Sequence, residues 1–387
     1  MRINNSYFTS HYQLLTPHFK IVIEGQDLAK ILTDDAISLS VEDHAEEADA
    51  ASFEVTNRKN QWIDHPLFER GNAVEVFLGY GRQPPKLFEG VISVVEPHFP
   101  QDGVPTLSIT AYDRSYLLRK KGDQDNAFPD RSPNEIVREV ARRYRFRDDD
   151  ILTPDDPPKR SYIQQESEND WEFIKGLAGE IGFELYVELG VLHFQKPRTR
   201  PDIVPGTFAY RKNLLSFEPS LSVDKPVSKV IVRGWDAAAK QPFQVEVDDP
   251  FAADRDVLGE QAGSDILSEG FGESVRILHD VVAESESHAR AIALAYFRQR
   301  EFELITATGS CVGEPELKAK RLIRIGGVGQ RFSGLYYLTR VTHRFDDGGY
   351  ICEFEAKRNA ISRIAVEDQK DIERLEEEGY ALAGSEK

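Results

Sequence analysis

Nine histidines, two cysteines, one glycine-rich turn and a few paired acids are the residues whose types could do chemistry. The histidines, His11, His18, His44, His65, His98, His193, His279, His288 and His343, are scattered along the chain. None falls into H-E-x-x-H or another ligand spacing, so no metal-binding residue is assigned. Cys311 and Cys352 lie in strand-like runs without ligand spacing. Two cysteines make no disulfide framework, which fits folding in a reducing compartment, and each is expected as a buried thiol. Gly326-Gly327-Val328-Gly329 is the one run that invites a phosphate. It lacks the Lys-Ser/Thr of a phosphate loop, and both flanks read as strands, so it is expected to bend a barrel corner. No G-x-S-x-G nucleophile elbow occurs. Asp346-Asp347 precede Gly348-Gly349, where they favour a turn. The sequence therefore assigns no catalytic and no cofactor-binding residue, and the expectation is a protein that is not an enzyme and needs no cofactor. Two other readings stay open: a cell-wall-degrading hydrolase, whose paired carboxylates would need a concave site, and a carbohydrate-binding adhesin presenting aromatics on a β-barrel.

The elements that would position any such residue are mainly strands. Between residues 19 and 118, segments such as AISLSVED (36–43), SFEVTNR (52–58), AVEVFLGY (73–80), KLFEGVISVVEP (86–97) and VPTLSITAYD (104–113) alternate apolar and polar residues. Period two marks strands with one buried face. Six or seven antiparallel strands of this kind predict a barrel or sandwich. A polar linker, 121–131, leads to a smaller mixed module. There Ser132-Pro133-Asn134-Glu135 forms a capping box ahead of a helix with Ile136, Val137, Val140, Ala141 and Tyr144 on one face. A second helix starts near Ser167, with Trp171, Ile174, Leu177, Ala178 and Ile181 as its apolar stripe and Gly182 where a left-handed cap belongs. Trp171 is expected in the core, as are Trp62 and Trp235. FELYVE (183–188) and VLHFQK (191–196) make a hairpin across Leu189-Gly190. After the proline-rich linker 196–206, strand signals resume, interrupted by an acidic stretch, 248–274, expected as a long loop with Arg255 as its only basic residue, and by a helix near Ser285.

These signals divide the chain into an N-terminal arm (1–18), a first β-barrel (19–120), a small α/β module (121–206), a second β-barrel carrying a helix at 285–301 (207–360) and a C-terminal acidic helix (361–387) with Ile361, Ile364, Ile372 and Leu375 on one stripe. The fold class is mainly β with an α+β insertion. Hydrophobic residues at 40% and aromatics at 10% supply real cores. The formal net charge of −18 repels phosphate backbones and argues against simple nucleic-acid binding. It would suit a channel wall past which a polyanion slides. No signal-peptide layout or apolar run of membrane length is found, so synthesis in the cytosol without membrane insertion is expected.

The two β regions resemble each other in order. AVEVFLGYG, Phe88-Glu89-Gly90 and a long hairpin ending in TAYDRS answer to RLIRIGGVG, Phe332-Ser333-Gly334 and a hairpin through DDGG ending in EAKRN. A duplication would give three chains six equivalent barrels around an axis.

Several segments, in order, resemble the late control gene D family of phage tail proteins and the N-terminal part of type VI secretion spike proteins. The strongest is SENDWEFIKGLAGEIGFELYV (167–187) followed by GVLHFQKP (190–197), preceded by SYIQQ (161–165). FEGVISVVEP (88–97), SPNEIVREVARRY (132–144), VSKVIVRGWD (227–236), SHARAIALAYFRQRE (287–301) and GQRFSGLYYLTRVTHRF (329–345) support it. Trp171, Gly182, Phe183, Gly234, Phe332 and Gly334 carry the motif, in structural roles. The resemblance implies two barrels similar to tail-tube subunits and a homotrimeric baseplate hub of a contractile tail or injection system. Such a hub adapts the sixfold tube to a threefold spike. It implies as partners the tail tube or a tube-initiator protein, a separate spike protein (the chain stops at Lys387), baseplate wedge proteins, and a tape-measure protein and DNA or cargo in the lumen. Assembly in the bacterial cytoplasm and residence in a virion or phage-tail-like particle follow from it.

Overall fold

A computed structural model describes residues 16–28, 36–120, 124–155, 157–197, 203–236, 239–251, 257–279 and 281–361. Ten strands carry the architecture. Five lie in the first β region: β1 (Ala36–His44), β2 (Ala50–Thr56), β3 (Ala73–Tyr80), β4 (Lys86–His98) and β5 (Thr106–Tyr112). Five lie in the second: β6 (Leu214–Leu221), β7 (Ile305–Val312), β8 (Leu322–Gly326), β9 (Gly334–Asp346) and β10 (Gly349–Arg358). Antiparallel pairing orders the first set β1-β2-β5-β4-β3 and the second β6-β7-β10-β9-β8. The two orders are the same. The resemblance between the two regions is thus a repeat of topology.

The copies share one sheet. β9 pairs antiparallel with β1, Arg340 opposite His44 through Phe345 opposite Leu39. Alternation decides the faces: in β2, Ala51, Phe53 and Val55 are buried while their neighbours are not. A single apolar cluster runs through both copies, including Leu39, Phe53, Ile109, Ile323, Tyr336 and Phe354. Pro17–Ile23 covers β3 antiparallel, and Phe208–Ala209 flanks β8 in parallel.

The α/β module has its own core. Helix α1 (Pro133–Arg143) starts in the predicted capping box, Ser132 and Glu135 each accepting from the other's backbone. Helix α2 (Asp170–Ile181) is capped by Asn169 and stops at Gly182, which is left-handed at φ 70°. Phe183 packs on Phe194, with ring centroids 5.2 Å apart. Trp171 is 1% exposed. The hairpin Glu184–Glu188 and Val191–Gln195 turns at Leu189-Gly190, both at positive φ.

Four expectations change. The linker 121–131 contains a strand, Gln124–Arg131, which pairs with Arg160–Glu168 and covers the α2 side of the module. The acidic stretch 248–274 holds a helix, α3 (Gly263–Phe271), whose Leu267 reaches the interior. Its few apolar residues hid that periodicity. Helix α4 (Glu286–Glu301) packs on a separate three-stranded sheet, Gln241–Val247, Lys229–Asp236 and Val275–Leu278, around its own apolar cluster. Trp235 is 55% exposed, because Val230 and Val232 take the buried face of its strand and Trp235 falls on the other. The expected N-terminal arm lies outside the described residues up to residue 15, and Pro17 and His18 already belong to a strand. The expected C-terminal helix lies outside them beyond Ile361.

Gly90 tests the hairpin of the first copy. A Cβ there would stand 2.2 Å from the Tyr112 carbonyl oxygen. Backbone cannot retreat as a side chain does, so Gly90→Ala is expected to cost about 2–3 kcal/mol, read as a lower urea midpoint at unchanged slope.

Candidate assembly surfaces

Three features of the sheet could serve assembly: a polar face, two open edges and a charged joint. The face opposite the core is rich in hydroxyls and carboxylates in cross-strand rows, among which Ile351, Tyr337 and Lys357 also fall. One row runs Ser216, Ser310, Glu353, Thr342, Glu42 from β6 to β1. The next runs Glu218, Thr308, Glu355, Arg340. In the first copy Ser40, Ser52 and Thr110 continue the pattern, as do Glu54, Ser108 and Glu96. Arg340 bridges Glu42 and Glu355 at 3.0 and 3.5 Å, and Arg344 meets Glu353 at 2.9 Å. Glu54, Glu96 and Glu218 have no cationic partner among the described residues. The face therefore carries an excess of negative charge.

Besides the outer edge of Pro17–Ile23, the described residues leave two margins of the sheet open. β6 pairs with β7 on one side only. The second half of β4, from Val94 to His98, pairs with β5 but lies beyond the reach of β3, whose pairing with β4 ends at Val91. Each margin carries a proline, Pro219 and Pro97, which removes a donor and discourages indiscriminate pairing. Repeat position relates the margins to the internal seam. β4 in the first copy stands where β9 stands in the second, and β1 stands where β6 does. Register irregularities fall at matching places, between Ile92 and Val94 and between Leu338 and Arg340.

The joint lies beside the seam. Lys320 Nζ donates to Asp43 Oδ1 at 2.6 Å and to the His44 carbonyl at 2.9 Å, with the lysine side chain 7% exposed. Asp43 Oδ2 accepts from the Ala319 amide. Asp49 accepts from the His44 amide and its own amide donates to Asp113, which caps Ser115. Burial alone would lower the Lys320 ammonium, but Asp43 and Asp49 outweigh it and hold the group above its ordinary range. Burial, then Asp43, pushes the Asp49 carboxyl well up, and burial raises Asp113. The module is tied in here too. Lys320 sits 4.8 Å from the Tyr186 ring centroid, Tyr337 Oη donates to Glu184 at 2.6 Å, and Lys318 meets Glu188 at 2.9 Å.

The motif residues sort into three places. Trp171, Gly182 and Phe183 lie in the module, where a Cβ on Gly182 would stand 3.1 Å from Ala295 of α4. Gly234 leaves room for the Phe243 ring, 2.2 Å from where its Cβ would be. Gly334 leaves room for buried Arg358, whose Nη1 donates to the Ser333 carbonyl at 2.9 Å, and the Phe332 carbonyl accepts from Tyr336 Oη at 2.7 Å. Phe332 also lines a shallow cavity of about 530 Å³ with Arg331 and Glu260. Sequence reasoning missed the joint: nothing local marks Lys320 or Asp43, which are 277 positions apart. No group of three or more His, Cys, Asp or Glu among the described residues is placed to hold a metal ion. None of the described helices is long and apolar enough to cross a membrane.

This fold is that of phage tail proteins. The 43 kDa tail protein of prophage MuSo2 from Shewanella oneidensis superposes with a TM-score of 0.64 at 14% identity, over 89% of this chain and 98% of that one. A tail protein from Neisseria meningitidis MC58 gives 0.63 at 13%, over 89% and 98%. An E. coli component of the type VI secretion system, itself described as structurally similar to T4 bacteriophage tail proteins, gives 0.55 at 13%, over 86% and 76%. Residues 14–347 match the family model described as the Alg8 N-terminal domain, and the chain belongs to that family. No curated protein matches the sequence.

The joint makes a direct prediction. Removing one partner of a buried pair strands the other's charge. Lys320→Met is expected to lower stability by about 3–5 kcal/mol, and Asp43→Asn added to it to cost less than the two separately. A double-mutant cycle in urea measures both.

Proposed function

We propose that the chain is the central hub of the baseplate of a contractile phage tail or phage-tail-like injection system, of the late control gene D type. In this reading it is a homotrimer surrounding the channel, adapting a sixfold tail tube to a threefold spike. The observation that carries it is the seam: the second copy's β9 already pairs with the first copy's β1 inside one chain. Repeating that contact between chains brings the open half of β4 to β6 of the next subunit. Such a contact is head-to-tail, and three chains close six copies into a ring. The matching register sets His98 opposite Glu218 across the subunit boundary, as Arg344 stands opposite Ser40 within the chain.

The polar face then lines the channel. Its carboxylate excess keeps a polyanion such as DNA, or cargo, from adhering, while hydroxyls offer only neutral contacts. A tail tube or tube-initiator protein above, a separate spike protein below, wedge proteins outside and a tape-measure protein in the lumen are the partners of this reading. It places the protein in the virion or particle baseplate after cytoplasmic assembly. It assigns the chain no reaction, since the work is done by pairing and packing.

The boundary contact is tested by cross-linking. The double variant His98→Cys, Glu218→Cys is expected to give covalent trimers, and no larger species, under mild oxidation on a non-reducing gel. Uncross-linked monomer, or a ladder that continues past three, would overturn the ring. The channel is tested separately: particles carrying Glu54→Lys and Glu96→Lys should assemble but release DNA or cargo several-fold more slowly. Release at the original rate would remove the charge argument.

A further inference from the structure

The two cysteines face each other in the sheet. Cys311 of β7 stands directly opposite Cys352 of β10, and both are free and 0% exposed. Opposed residues of an antiparallel pair have Cα atoms about 4.5–5.5 Å apart, inside the roughly 4.4–6.8 Å that a disulfide spans. On the other side of Cys352 the same row continues to His343 of β9. His343 Nδ1 lies 3.3 Å from the Cys352 sulphur and 2.7 Å from Tyr350 Oη, while Nε2 lies 2.9 Å from the Leu317 carbonyl. The Glu314 amide donates to the same sulphur at 3.3 Å. Beyond His343 the row reverts to an aliphatic residue, Val41. A plain core row needs neither the thiols nor the imidazole.

We propose that Cys311 and Cys352 are a redox pair, closing to an intrachain disulfide between β7 and β10 when the chain meets a small-molecule disulfide such as oxidised glutathione. Cys352 is the attacking sulphur. Burial works against its thiolate, but the Cys311 thiol, His343 and the Glu314 amide outweigh it and hold the group well below the ordinary thiol range. Cys311, donating toward Cys352 and buried, is held well above that range and keeps its proton. The Cys352 thiolate attacks one sulphur of the oxidant and expels the first glutathione thiolate, forming a mixed disulfide. With Cys352 now in the mixed disulfide, the charge that held the Cys311 proton is gone, and Cys311 gives that proton to the expelled glutathione thiolate. Its own thiolate then attacks the Cys352 sulphur and expels the second glutathione thiolate, which takes its proton from water. Two protein thiols are oxidised and one glutathione disulfide is reduced to two thiols. Segment 313–317 covers the row, the Glu314 amide meeting the sulphur and the Leu317 carbonyl meeting His343, so the oxidant reaches Cys352 only when this segment moves aside. The inference concerns groups within one chain and stands apart from the hub reading.

The test uses the purified full chain, reduced and then held in oxidised glutathione under native conditions. After acid quench and unfolding, remaining thiols are alkylated and the peptides mapped by mass. The expected result is loss of both alkylatable thiols, a linked peptide joining Cys311 to Cys352, and an unchanged near-ultraviolet circular dichroism spectrum. Two thiols still free would overturn the proposal. So would a stable glutathione adduct on either cysteine, or a linkage that forms only with loss of the native spectrum. Cys311→Ser, where it folds, should instead retain glutathione on Cys352; a variant that does not fold leaves the wild-type mapping as the deciding measurement.

Discussion

The pairing of β9 with β1 is the contact on which the rest of the structure depends. It turns two copies of a five-strand unit into one sheet and lets a single apolar cluster run through both. Without it each copy would present a further unpaired strand edge, the form of surface that sheets must cover or blunt. The Lys320–Asp43 pair stands at this seam, bonded to groups on both sides of it. Buried ion pairs contribute little net stability against an apolar alternative, because desolvation offsets attraction. Their demand for one geometry is what fits this position, where a shift of one residue in register would turn every side chain of β1 to the opposite face.

The α/β module is fixed to the seam by polar contacts and to α4 by close packing. Tyr337–Glu184 and Lys318–Glu188 tie its hairpin to the second copy. Gly182 serves twice: it ends α2 in a left-handed turn, and its missing Cβ lets that turn approach Ala295. A residue with a side chain there would strain the backbone and push against the neighbouring helix at once. The module thus reaches both the sheet and the α4 layer.

The two faces of the large sheet have opposite chemistry. The inner face is aliphatic and aromatic, interrupted at the row holding Cys311, Cys352 and His343. The outer face is rich in hydroxyls and carboxylates, with Arg340 and Arg344 neutralising some of its acids. The same period-two pattern that buries one face puts Ser, Thr and Glu on the other.

Local order was legible in the sequence because it depends on neighbours a few residues apart. The capping box at Ser132, the left-handed stop at Gly182, the turn at Leu189-Gly190 and the alternation in β2 all follow from backbone hydrogen bonding and side-chain period. The repeat was visible as an order of motifs, though not as an order of strands. Tertiary structure decided what lies far apart in the chain: the seam, the open margins, the Lys320 joint, the facing cysteines and the exposure of Trp235. The physical reason is the same in each case. A strand's pattern states which of its faces is buried, while its partner is selected by the packing of the whole sheet, and Lys320 finds Asp43 only once that packing exists.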